Sequence, residues 1–163
     1  AERYLSDAVI DLLPRSDPVA LATIYHELGQ VQARLGRIDD GAANTARGRA
    51  LFDQFGCLLD LAEASVTLGQ LRMAQGDSVA AQDALYRAID LAEHLGDPAV
   101  ITRAAGVLVY VHQIRARHAH HGDRQFRQDT LEQAEASRTR LAGLGLQEHV
   151  AALDKVVQEL ARG

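Results

Sequence analysis

The chain has 163 residues, 47% hydrophobic, 24% charged and 4% aromatic, with a net charge of −5. That length suits one domain with a substantial core and is too short for a large enzyme barrel of ~250 residues. The acidic balance excludes general nucleic-acid binding, and the apolar content excludes a disordered chain. One cysteine, Cys57, excludes an intrachain disulfide framework and fits a reducing cytoplasm.

Ala (28 residues) and Leu (22) dominate, with three Pro and no Trp, a bias toward helix and away from an all-β sandwich. Sixteen Arg against one Lys, with abundant Ala and Gly, suggest coding from a GC-rich bacterial genome. No apolar run approaches the ~20 residues of a membrane span, and no signal peptide opens the chain. The chain has no initiator Met and Ala1 is expected to lie inside a helix, so it is read as a segment of a longer cytoplasmic protein.

In chain order, the first predicted element is a helix from Glu2 to Leu13, the second half of a partial unit over residues 1–16. Residues 18–57 form the first whole unit: a helix from Ala20 to Leu35, a turn at Gly36-Arg37, and a helix from about Asp39 to Phe55. Residues 58–97 form the second. Its first helix is predicted over Ala62 to Gln75, and Gly76-Asp77-Ser78 then supplies a stop followed by N-cap chemistry. Ala81, Ala84, Leu85, Ala88, Leu91, Ala92 and Leu95 follow at spacings of three and four, one apolar helix face. Pro98 is well placed to open the next helix. Residues 98–146 read as a degenerate third unit with an insertion. Val109 replaces the mid-helix Gly, and Arg127 replaces Ala81. The turn Gly122-Asp123 matches Gly76-Asp77 at a shift of 46, as Leu131 and Ala134 match Leu85 and Ala88. Residues 147–163 close the chain as an amphipathic capping helix. The expectation is all-α: a right-handed α-α superhelix of antiparallel helix pairs, about seven helices and no strands.

A 40-residue register underlies these units. Leu28-Gly29-Gln30 recurs as Leu68-Gly69-Gln70, Gly36 as Gly76, and Phe55-Gly56 as Leu95-Gly96. Asp17-Pro18 recurs two periods later as Asp97-Pro98. Gly29 and Gly69 sit mid-helix, where Gly costs about 1 kcal/mol relative to Ala. The same cost at the same phase points to close approach of a neighbouring helix. Gly41, Gly48, Ala81 and Ala88 are correspondingly small on the second helices.

These units resemble tetratricopeptide repeats, in the 40-residue variety of bacterial regulators similar to the maltose activator. The pattern is Leu68-Gly69, Gly76, Ala81, Leu85 and Ala88 in the second unit, and Leu28-Gly29, Gly36, Gly41 and Gly48 in the first. Thr45 departs from it, standing where a large apolar residue belongs, and Gln32 and Arg72 replace a frequent aromatic. The resemblance implies that the first helix of each unit lines a concave binding face. On that face it places His26, Gln30 and Arg34, then Glu63, Val66, Gln70 and Met73, then Arg103, Gly106, Tyr110 and Gln113. Tyr110 and Arg103 are of types common at binding hot spots. Some repeats of this kind clamp a C-terminal carboxylate. Here the matching positions carry His26, Gln30, Thr67, Arg103 and Val107, of which only Arg103 fits, so that clamp is rejected.

Catalytic signatures are missing. A phosphate loop needs a Lys after its glycines, and Lys155 is the only one. No Gly-x-Ser-x-Gly elbow occurs. Cys57 reads as a small turn residue, and the paired carboxylates as solvated or capping groups. His112, His118, His120 and His121 fall within ten residues. His118, His120 and His121 are candidate metal ligands, though polar exposed side chains on an extended helix end are the plainer reading. No cofactor is expected. Charge is segregated: residues 1–100 carry eight basic and 15 acidic residues (−7), residues 101–163 nine and seven (+2). The expected function is a non-catalytic interaction module of a regulator. It would bind a protein, a peptide or neighbouring domains of its parent, with no nucleic acid and no membrane. The alternative is a domain that senses a small effector or peptide.

Overall fold

The structure is a computed structural model that describes residues 2–12, 17–119 and 122–162. Left-handed glycines fall every twenty residues along much of the chain: Gly36 (φ 80°), Gly56 (68°), Gly76 (82°) and Gly96 (68°). Each follows a helix end and lets the next amide reach back to an orphan carbonyl. Arg37 N donates to Gln32 O, Cys57 N to Phe52 O, Asp77 N to Arg72 O and Asp97 N to Ala92 O, each at 2.9 Å. The 40-residue period is thus two helices and two turns of one chemistry.

Eight helices result among the described residues: α1 (Glu2–Leu12), α2 (Pro18–Arg34), α3 (Ile38–Gln54), α4 (Leu58–Ala74), α5 (Ser78–Leu95), α6 (Pro98–Ala119), α7 (Arg124–Gly143) and α8 (Gln147–Arg162). The count exceeds the seven expected, and no strand occurs among these residues. Aspartates start several of them. Asp17 accepts from Ala20 N and Asp77 from Ala80 N, both at 3.0 Å, and Asp123 from Phe126 N at 2.7 Å. Pro18 opens α2 as expected. α4 begins at Leu58, earlier than Ala62, because the left-handed turn at Gly56 leaves no linker to span. Leu13 lies outside the described residues.

The chain forms two compact units, Ala1–Ile101 and Thr102–Gly163. In the first, α2 packs on α3, α3 on α4, α4 on α5, and α1 on α2. Gly29 meets Gly41 and Gly48 meets Ala22, so position numbers across the α2–α3 pair sum to 70 and the helices run antiparallel. Phe52, Leu61, Leu85 and Ile89 fill the core. Glu2 of α1 pairs with Arg37 and accepts from Gln32, which also accepts from Asn44 Nδ2 at 2.8 Å. In the second unit, Ala116 and Ala119 of α6, Ala134 of α7, and Val156 and Leu160 of α8 make one cluster. α6 runs to 22 residues against 17 for α2 and α4, which absorbs much of the insertion seen in the sequence.

Candidate functional site

The helical spacing of four places His26, Gln30 and Arg34 along one side of α2. Their side chains join end to end. Gln30 Oε1 accepts from Arg34 Nη2 at 3.5 Å, which turns the amide nitrogen toward His26 Nε2, 3.1 Å away. Arg has only donors, so this orientation is the consistent one, and His26 Nε2 is the acceptor. Thr67 Oγ1 of α4 stands 3.1 Å from the same nitrogen and 3.2 Å from the Glu63 carbonyl oxygen, and its one hydroxyl hydrogen is shared between these two acceptors. The row therefore bridges α2 to α4. The His26 ring rests edge-on against buried Phe52, with centroids 6.4 Å apart. Burial lowers the pKa of His26, opposed by the nearby carboxylates Glu27, Glu63 and Asp60. The ring is held neutral, a state that suits an acceptor.

Four of the other expected contact residues lie on α4. Gln70 is exposed and Glu63 and Met73 are half-buried, but Val66 is only 4% exposed. Val66 does not reach the surface, which corrects its expected place on the binding row. α4 packs against α2, α3 and α5, and so buries a wider arc than an outer helix does. Arg103, Gly106 and Tyr110 on α6 are exposed, Tyr110 at 51%, and Gln113 is half-buried. They belong to the second unit. Thr67, which carries the link between α2 and α4, was noted in the sequence only as a departure from a carboxylate clamp. Its partnership with His26 needs two helices 41 positions apart in sequence to meet.

The second unit holds a buried polar pair. His112 of α6 is fully buried, with Nε2 2.7 Å from Ser137 Oγ of α7. Ser137 donates its hydroxyl hydrogen to Gln133 O at 2.9 Å, so His112 Nε2 carries the proton and Nδ1 is the bare nitrogen. Burial, with the Arg115 cation beside it, pushes the His112 pKa down to about 4. Arg115 is buried too, and its guanidinium lies 5.7 Å from the Phe126 ring centroid. Of the candidate metal ligands, His118 is exposed, while His120 and His121 lie outside the described residues. Among the described residues no group of three or more His, Cys, Asp or Glu is placed to hold a metal ion. No described helix is long and apolar enough to cross a membrane. Cys57 stands at the N-cap of α4, in the turn expected of it.

No family model and no curated protein matches the chain. Solved structures do. A Rap protein complexed with Competence and Sporulation Factor superposes with a TM-score of 0.60 at 16% identity, over 98% of this chain and 46% of that one. BtubC (BKLC) from P. vanneervenii superposes with a TM-score of 0.58 at 15% identity, over 99% of this chain and 72% of that one. The chain thus spans less than half the length of the Rap protein. The likeness is one of fold: an all-α helical-repeat architecture of the α-α superhelix class.

Proposed function

We propose that this chain is a non-catalytic binding module of the tetratricopeptide type, part of a larger bacterial regulatory protein, that holds a peptide or partner domain. The observation that carries the reading is the connected row His26–Gln30–Arg34, tied to Thr67 of the next helix pair. Donors and acceptors fixed by one another and by a buried ring lose little freedom when a ligand arrives, so less affinity is spent on ordering them. The 40-residue register with its Leu-Gly pairs supports the repeat type, and the fold shared with a Rap protein in complex with a factor supports the role. Absence of a phosphate loop and of a nucleophile elbow from the sequence supports a non-catalytic role.

Selection of a random peptide library on the immobilised chain tests this. Selected peptides should bind saturably and lose at least tenfold in affinity to the double variant His26→Ala/Arg34→Ala. A library that yields no saturable binder, or binders indifferent to those substitutions and to Tyr110→Ala and Arg103→Ala, would refute it.

A further inference from the structure

Four arginines find carboxylates: Arg3 meets Asp7, Arg37 meets Glu2, Arg87 meets Asp53 and Arg138 meets Asp154. Arg124 and Arg127 do not. Neither guanidinium has an ion-pair partner among the described residues. Acids close to them in sequence already accept hydrogen bonds from other donors. Asp123 accepts from Phe126 N at 2.7 Å, Asp129 from Gln125 Nε2 at 2.7 Å, and Glu132 from Gln128 Nε2 at 3.0 Å.

Both arginines line one cleft of about 440 Å³, where the start of α7 meets the end of α8. Gln128, Leu131, Leu160 and Ala161 complete the lining. Residues 124, 127, 128 and 131 repeat at three and four, so one stripe of α7 changes from cationic to apolar along its length. Leu160 is nearly fully buried, and with Leu131 it belongs to the packed cluster of the unit, so the apolar floor is rigid. The volume lies within the range of small-molecule sites, ~300–1,000 Å³.

We propose that this cleft binds a small amphipathic anion: a carboxylate or phosphate monoester carrying a short apolar group. Guanidinium groups give parallel N–H···O bonds to either head group. Leu131 and Leu160 take the apolar part out of water. Asp123 already occupies the Phe126 amide, so the arginines rather than the helix end hold the head group. The inference goes beyond the peptide-binding reading and does not depend on it. It concerns α7 and α8, not the row on α2 and α4.

Calorimetric titration of the chain with hexanoate and hexyl phosphate tests it, with hexanol and inorganic phosphate as the apolar and ionic halves alone. At least one amphipathic anion should bind at 1:1 and at least tenfold more tightly than both halves. The tighter of the two identifies the head group. Affinity should weaken as salt rises. The double variant Arg124→Gln/Arg127→Gln should lose at least tenfold while melting close to the parent, because Arg124 is exposed and half-buried Arg127 has no ion pair to break. Methyl signals of Leu131 and Leu160 should shift on binding. No saturable binding of either anion at millimolar concentration, or binding unchanged in the double variant, overturns the proposal. Both results leave the peptide selection unaffected.

Discussion

Gly29 and Gly41 lie backbone to backbone. A Cβ on Gly29 would sit 2.7 Å from the Gly41 carbonyl oxygen, and a Cβ on Gly41 would sit 2.8 Å from the Gly29 carbonyl oxygen. Neither helix can yield at that point without moving as a body. In the second repeat the equivalent Gly69 faces the side chain of Leu85, with Cγ at 2.8 Å, and Ala81 O at 3.3 Å. A side chain can change rotamer, whereas a backbone carbonyl cannot.

Gly29→Ala should therefore cost about 2–3 kcal/mol, even after the roughly 1 kcal/mol gained in helix propensity. Gly69→Ala should cost less than half as much. Urea unfolding of the two variants checks the order, and equal losses would show that the α2–α3 approach is no tighter than α4–α5.

Thr45 explains how the first repeat manages with no large residue where Leu85 stands in the second. With Gly29 and Gly41 in backbone contact, the space for a leucine is gone, and a fully buried threonine fills what remains. Its Oγ1 has no hydrogen-bond partner. Thr45→Val keeps the shape and removes the buried hydroxyl, so it should stabilise the chain by about 1 kcal/mol. Thr45→Leu should destabilise it by about 1–3 kcal/mol through overpacking. Thermal melts of the pair should move in opposite directions.

Acid should weaken the fold through His112. The folded chain holds this ring neutral down to about pH 4, whereas an unfolded histidine takes a proton near 6.5. As pH falls through that interval the unfolded state binds the proton first, so stability is full above about 6.5 and drops toward 4, by about 3 kcal/mol in all. His26, also lowered by burial, adds a change of the same sign. Chemical denaturation between pH 4.5 and 7.5 should show a slope that falls by up to one proton in His112→Gln. An unchanged slope would mean that His112 titrates as in a free peptide.

Ser137→Ala should leave the His112 Nε2–H without its acceptor and cost about 1–3 kcal/mol. The double variant with His112→Leu should recover part of that loss, because both polar partners are then gone. A double-mutant cycle from urea midpoints measures the coupling. Additive losses would show that the contact contributes nothing of its own.

Much of the fold was legible residue by residue. The paired glycines at 36 and 76 and at 56 and 96 marked the turns, and Asp77 is the cap that its turn cluster suggests. Gly29, Gly41 and Gly48 were readable as sites of close approach because a mid-helix glycine is locally unfavourable and needs a packing cause. Val66 was misplaced on the surface because the spacing of α4 shows which residues share a side, not how many neighbours that helix has. Arg127 read only as the residue that replaces Ala81, and Arg124 did not stand out, since no sequence pattern shows that the adjacent acids are bonded elsewhere.

The sequence alone determined the helices, their turns and their 40-residue pairing, since these follow from local chemistry: capping, φ at glycine, and apolar spacing along one helix. Only the tertiary structure decided which polar groups are partnered, buried or left open. Thr67 meets His26 across 41 positions, Ser137 meets His112 across 25, and α8 supplies the floor beneath the arginines of α7. Those relations depend on distances between helices, and an interhelical distance is a sum of packed side-chain sizes that no single stretch of chain contains.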